Sequence, residues 1–308
     1  MNKNPKWRYW LVERLSRTVN RLKRRKIGTW HSKTEEFFKE IYLGVILPQI
    51  DHQFGETSTL KVLDAGCGTG RMAVELAKLG HEVTGIDLHQ ESLLAAQGHA
   101  KDMGVSIVFM QGEILKTLKG WANESIDLVI CLEVLYVCSD YRQIIEEFHR
   151  VLKPGGLFMG SFRSRFYFIT TLLRQGQYEK ALYVAQHSEG LLKIASLPTY
   201  YNWHSGPELE TLFKECGLEP VATASIGKFS GMGYDGLAAI VDLDEPLSPE
   251  SYSALSKLES LHLSEWRDIG RYMLAVGRKT VSHIVVICIA TDALSLISFW
   301  ASPSPWSF

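Results

Sequence analysis

The middle of the chain alternates short apolar runs with segments whose apolar positions recur every three or four residues. Apolar runs at Leu60–Asp64, Glu82–Asp87, Val105–Met110, Ile126–Cys131 and Leu157–Phe162 read as strands. Between them, Arg71–Leu79, Gln90–Met103 and Tyr141–Leu152 carry the helical period, with Ile144, Ile145, Phe148, Val151 and Leu152 on one side of the last. Pro154-Gly155-Gly156 predicts a turn before the final strand of the series. Such an alternation predicts a parallel sheet with helices on both faces.

The flanks follow other rules. Residues 7–26 predict a helix, with Trp7, Leu11, Leu15, Thr18 and Leu22 along one side and Gly28 beyond its end. A second helix is expected from Lys33 to Leu47, stopped by Pro48. Residues 166–206 are rich in aromatics and helical in pattern, ending in a loop Thr199-Tyr200-Tyr201-Asn202-Trp203-His204. Helix is expected again over Pro207–Cys216 and near Pro249–Trp266, and strand over Pro220–Ile226 and Tyr272–Val276.

The chain has 308 residues and a formal net charge of −1, which conceals an asymmetry. Residues 1–26 hold ten bases and one acid, leaving 23 bases and 33 acids for the remainder. A basic arm is thus joined to an acidic body. Five widely spaced cysteines with no C-x-x-C argue against a disulfide framework or a thiolate metal site, and no metal is expected. Of residues 281–300, 14 are apolar, but His283 and Asp292 interrupt them. A central Asp costs about 2.5–3.5 kcal/mol on insertion scales, which makes a membrane span marginal.

Candidate chemistry lies at the strand ends. Asp64-Ala65-Gly66-Cys67-Gly68-Thr69-Gly70 occupies a strand-to-helix turn, where glycines let a ligand approach the backbone. Arg71 stands where the dinucleotide fingerprint needs its third glycine, and the P-loop's G-K-[ST] is absent. The spacing is D-x-G-x-G-x-G, with an acid that suits a cationic ligand better than a pyrophosphate. Asp87 ends the second strand, where a carboxylate can accept ribose hydroxyls, and Glu113 follows the third. The three acids describe a pocket for an adenosine that carries positive charge in place of phosphate.

The stretch VLDAGCGTGRMAVELAKLGHEVTGIDLHQESL, followed by SIDLVICLEVLYV and FHRVLKPGG, resembles the class I S-adenosylmethionine-dependent methyltransferases. The resemblance covers residues 58–162, with weaker counterparts at 207–228 and 268–279. It implies an α/β, Rossmann-like, doubly wound seven-strand sheet, mostly parallel with the last strand antiparallel, with N-terminal helices and a helical lid insertion. The parts would be a basic and a cap helix (1–50), a cofactor core (51–165), a helical lid (166–206), the rest of the core (207–279, with an insertion near 229–267) and an apolar tail (280–308).

By the same resemblance, Asp64, Gly66, Cys67, Gly68 and Gly70 would surround the methionine part of S-adenosylmethionine. Asp87 would hold the ribose, Leu88 would lie under the adenine, and Glu113 and Ile114 would stand near its amino group. Cys131, Leu132 and Glu133 would border the methionine part and the substrate, while Cys67 and Cys131 as thiols read as small packers. The family's common His after the fourth strand is Tyr136 here. Candidate bases are His204, Tyr136 and Tyr201. Glu133, Arg163, Arg165 and Trp203 are candidate substrate contacts, the arginines for an anionic group.

The implied reaction is methyl transfer to an O, N or C atom of a small-molecule acceptor in a cytoplasmic setting. Two alternatives stay open: an RNA or protein methyltransferase docked by the basic arm, and a non-catalytic cofactor-binding module. The arm has three readings: a helix packed on the body, a contact to anionic lipid, or a guide for nucleic acid. The apolar tail offers a second route to peripheral membrane contact.

Overall fold

The computed structural model describes residues 33–192, 198–231, 241–243, 247–261 and 266–280. The basic arm, the apolar tail from residue 281 and most of the glycine-rich segment 228–236 therefore lie outside the described residues.

A seven-stranded sheet forms the centre. Its strands are β1 (Lys61–Ala65), β2 (Glu82–Asp87), β3 (Val108–Gln111), β4 (Ile126–Cys131), β5 (Leu152–Arg163), β8 (Leu218–Ile226) and β11 (Tyr272–Lys279). Their spatial order is β3-β2-β1-β4-β5-β11-β8. β1 to β5 pair in parallel, and β11 runs antiparallel to both β5 and β8. The doubly wound, mostly parallel architecture is thus present, with order reversing beside β1, where a parallel sheet opens a ligand crevice.

Period-two alternation on buried strands separates two cores. Val62, Leu128, Ile130, Leu157, Met159, Leu274 and Val276 face α1 (Lys33–Phe54), α2 (Arg71–Lys78) and α9 (Pro249–Ser260). Leu63, Val129, Cys131, Phe158, Phe162 and Met273 face α5 (Tyr141–Val151) and α8 (Gly206–Glu215). α3 (Gln90–Asp102) links β2 to β3, and the short α4 (Ile114–Leu118), which the periodicity does not predict, follows β3.

Three expectations are corrected. The second helix does not stop at Pro48 but continues to Phe54. Proline forfeits one bond to the preceding turn, yet Ile50 beyond it is buried on the sheet and Gln53 Nε2 donates to Gly155 O at 2.9 Å. Tertiary packing outweighs the missing bond. Pro154-Gly155-Gly156 does not separate strand from helix but lies inside β5, absorbed by a register irregularity opposite Ile126–Leu128.

Residues 166–206, finally, are not all helix and loop. α6 (Arg165–Arg174) and α7 (Tyr178–Gln186) are followed by an antiparallel pair, β6 (Glu189–Leu192) and β7 (Thr199–Asn202). The run Thr199–Asn202 buries alternate residues, Tyr200 and Asn202, which is a strand's period. β9 (Ser230–Gly231) and β10 (Val241–Asp242) form a minor parallel pair.

Candidate active site

The glycine loop connects β1 to α2. Gly66, Gly68 and Gly70 all have positive φ (82°, 54° and 77°), a conformation that L side chains adopt at a cost. A Cβ on Gly66 would lie 2.3 Å from Val134 Cγ2, so the loop is closed on that side. A Cβ on Gly68 would meet nothing within 4 Å. The backbone there is bare, and free for a ligand to approach.

The acids around the loop differ in state. Asp87 is tied to it: Oδ2 accepts from Gly68 N at 2.9 Å and Oδ1 from His89 N at 2.8 Å. Asp64 is 3% exposed, and its Oδ2 has no hydrogen-bond partner. Burial pushes its pKa up to about 7, against the opposing pull of Arg71 and the Ala73 N–H. A buried carboxylate oxygen lacking a partner is costly until a donor or cation meets it. Leu88 is exposed at the same strand end. The Glu113 carboxylate is also exposed and pairs with Lys116 at 2.9 Å, along its own helix. Ile114 is half-buried against the α5 side of the sheet. Cys67 and Cys131 are buried, and burial pushes both thiols up, away from nucleophilic thiolates.

Beyond β4 the chain builds a second cluster. Glu133 adopts a left-handed φ of 60°, rare for a residue with a side chain. Its N–H donates to Ser161 Oγ at 2.6 Å. Its carboxylate accepts from Arg71 Nη2 at 3.2 Å and from Tyr272 Oη at 3.1 Å. Burial raises its pKa, but Arg71, Arg271 and Arg163 together hold the carboxyl below its ordinary range. Arg71 follows Gly70, so this carboxylate joins the loop to the cluster.

Arg163 ends β5 and is the register partner of Tyr272 on β11, so the two side chains share a face. Its guanidinium carbon lies 4.2 Å from the Tyr272 ring centroid and 4.6 Å from that of Tyr136. Tyr201 stacks on Tyr136, at 6.3 Å between centroids and 7° between planes. Tyr136, Tyr201 and Glu133 are partly exposed, which leaves one side of the cluster open to solvent.

Other candidates are structural. His204 is 3% exposed, wedged edge-on between Tyr141 and Phe162, and burial lowers its pKa to about 3. Its Nε2 meets Asn202 Oδ1 at 3.2 Å. Burial that holds the ring neutral with so low a pKa makes it a packing residue and a poor fit to a base. Trp203 is fully buried, its N–H donating to Val184 O at 3.0 Å and also to His187 O, so it is core and not a substrate contact. Arg165 is engaged by Glu208 at 2.7 Å. Tyr272, Arg71, Arg271 and Ser161 were not anticipated as site residues. Only the antiparallel register brings Tyr272 to Arg163, and no linear spacing encodes that.

The residues suit S-adenosylmethionine. The orphaned Asp64 oxygen suits an ammonium, the open Gly68 backbone suits a close-lying chain, and the strand-end Asp87 retains acceptor capacity for hydroxyls. Leu132 is buried directly after Cys131 at the border between loop and cluster.

Comparisons with known proteins agree. The family model for a methyltransferase domain matches residues 63–160. A ubiquinone biosynthesis O-methyltransferase of Rickettsia canadensis is 29% identical over 212 residues, which are 67% of this chain and 82% of that protein. Another so named, from Idiomarina loihiensis, is 39% identical over 116 residues, 38% of this chain and 46% of that protein. The chain thus spans from about half to four-fifths of the length of these relatives.

Among solved structures, a SAM-dependent methyltransferase of Methanosarcina mazei is similar with TM-score 0.52 and 19% identity, over 76% of this chain and 98% of that one. The 1,6-didemethyltoxoflavin-N1-methyltransferase of Burkholderia thailandensis, solved with S-adenosylhomocysteine, gives TM-score 0.54 and 16% identity over 91% and 93%. These two likenesses concern the fold. With the motif run and the loop geometry, the domain match identifies residues 63–160 as a methyltransferase domain of the S-adenosylmethionine-dependent kind.

Proposed function

We propose that the chain methylates a small molecule seated in the Glu133–Tyr136–Arg163–Tyr201–Tyr272 cluster, with an oxygen of that molecule as acceptor. The observation that carries this reading is the link through Glu133 and Arg71, which sets the cluster directly beside the glycine loop. Methyl transfer needs the acceptor atom aligned with the methyl group, and proximity alone supplies much of the rate. The O-methyltransferase relatives favour oxygen over nitrogen or carbon.

S-adenosylmethionine, when bound, supplies an electrophilic methyl carbon on a sulfonium. The chain's own residues do the rest. Asp64 neutralises an ammonium and Asp87 orients hydroxyls while fixing the loop. Val134, against Gly66, closes the loop on its sheet side. Tyr136 and Tyr201 present flat aromatic surface to an acceptor.

The test has two stages. Calorimetry should show S-adenosylhomocysteine binding to the wild-type chain, much weakened in Asp87→Ala. Methyl-labelled cofactor incubated with the protein and a small-metabolite extract should then yield a labelled product by mass spectrometry. No binding by the wild-type chain overturns the assignment.

A second reading draws on the ten bases of residues 1–26, which suit a polyanion or an anionic lipid surface. Deleting the arm should spare turnover of a free small molecule and abolish docking on RNA or vesicles. Among the described residues no helix is long and apolar enough to cross a membrane.

A further inference from the structure

We infer that Arg163 forms an anion-binding subsite in the acceptor pocket, and that the acceptor is a small conjugated molecule bearing a carboxylate. This deepens the proposed function and rests on it.

Three observations carry the inference. Arg163 is 5% exposed, and its Nε and Nη1 are buried with no hydrogen-bond acceptor. Buried guanidinium donors are ordinarily paired, because an unmet charged donor forfeits its hydration without return. The nearest acid does not serve: Glu133 bonds Arg71 through Oε1 and Tyr272 through Oε2. Arg165, two residues on, also has a buried Nε without a partner, but its Nη2 is engaged by Glu208 at 2.7 Å. Arg163 therefore keeps two buried N–H groups with capacity to pair.

The second observation is electrostatic. The Glu133 carboxylate, held ionised by the neighbouring arginines, spends its two oxygens on Arg71 and Tyr272. An anionic group on the acceptor would supply the oxygens that Arg163 lacks.

Shape is the third. The Tyr136 and Tyr272 centroids are 5.7 Å apart, and the guanidinium fills the notch between them at 4.6 and 4.2 Å. Phe168 closes the rear at 5.9 Å. The rings hold the guanidinium in place by cation–π contact. The half-exposed Tyr136 and Tyr201 rings stack in parallel beside it, a platform for a flat acceptor.

The experiment uses the full chain with labelled arginine Nε, saturated with S-adenosylhomocysteine after calorimetry has recorded that binding. The Arg163 resonance is assigned from the spectrum of Arg163→Lys. Benzoate and its neutral isostere benzamide are the probes. Benzoate should shift the Arg163 signal saturably, at least about tenfold tighter than benzamide, the usual worth of a charge-assisted bond. In Arg163→Met that preference should vanish while S-adenosylhomocysteine affinity stays within about twofold of wild type. An Arg163 signal unmoved by benzoate, or equally moved by benzamide, overturns the inference even if Arg163→Met does not fold. Failure of the initial calorimetric binding overturns the cofactor pocket instead, so the two failures are read apart.

Discussion

Asp87 accepts a hydrogen bond from the backbone N–H of Gly68 at 2.9 Å, so the acid at the end of β2 holds the glycine loop between β1 and α2. Asp87→Ala removes the brace and, with it, the carboxylate proposed to accept the ribose hydroxyls. We expect S-adenosylhomocysteine affinity to fall at least about tenfold, with stability reduced by about 1 kcal/mol. Asp87→Asn keeps an oxygen for Gly68 and should fall between, as calorimetry and urea titration would show.

Gly66→Ala sets a Cβ 2.3 Å from Val134 Cγ2 and imposes a side chain at φ 82°. The variant should lose about 1–3 kcal/mol by overpacking alone. Adding Val134→Ala should recover part of that loss and leave the backbone strain. Full recovery by thermal melting would refute the strained-turn account.

Asp64 and His204 pull stability in opposite directions with pH. The Asp64 carboxyl is raised from 3.8 to about 7, so the folded chain holds a proton that the unfolded chain releases. Its contribution is fully present below about pH 4 and lost as pH rises to about 7. His204 is lowered from 6.5 to about 3, so its contribution is present above about pH 6.5 and lost as pH falls. Relative to wild type, Asp64→Asn should gain stability as pH rises from 4 to 7, and His204→Phe should gain as pH falls through the same range. Urea midpoints across that range check both signs. Cofactor binding should release a proton near pH 6, seen as a buffer-dependent calorimetric heat that Asp64→Asn abolishes.

Glu133→Gln removes the carboxylate that pairs with Arg71 and accepts from Tyr272. We expect a loss of about 1–3 kcal/mol, smaller at high salt, measured by thermal melting. Trp203→Ala empties the core of the α6–β7 unit and should cost about 3–5 kcal/mol, with Trp203→Phe costing less.

The alternation of β1 to β5 with α2, α3 and α5 was legible because buried strands and amphipathic helices carry distinct periods. The glycine loop was legible because glycine spacing and strand-end acids are local features. Three things were not. Pro48 is a breaker only where packing does not overrule it, and Ile50 overrules it here. His204 looked like a base because burial is invisible in a lone histidine. Tyr272 looked like any strand residue, since its role depends on its register with Arg163, more than a hundred residues earlier.

Among the described residues β11 is the last strand in sequence, yet it is not at the edge. It slots between β5 and β8, both made earlier. During synthesis, therefore, β8 has no neighbour to join until residues 272–279 have emerged. The glycine loop meets Asp87, Val134 and Glu133, all made before residue 135, while Arg163 gains its Tyr272 wall only when this strand threads home. Assembly of the two clusters is thus ordered along the chain, the one around Arg163 being completed last. Such long-range closure is slow compared with local folding, so the surroundings of Arg163 are completed after those of the glycine loop.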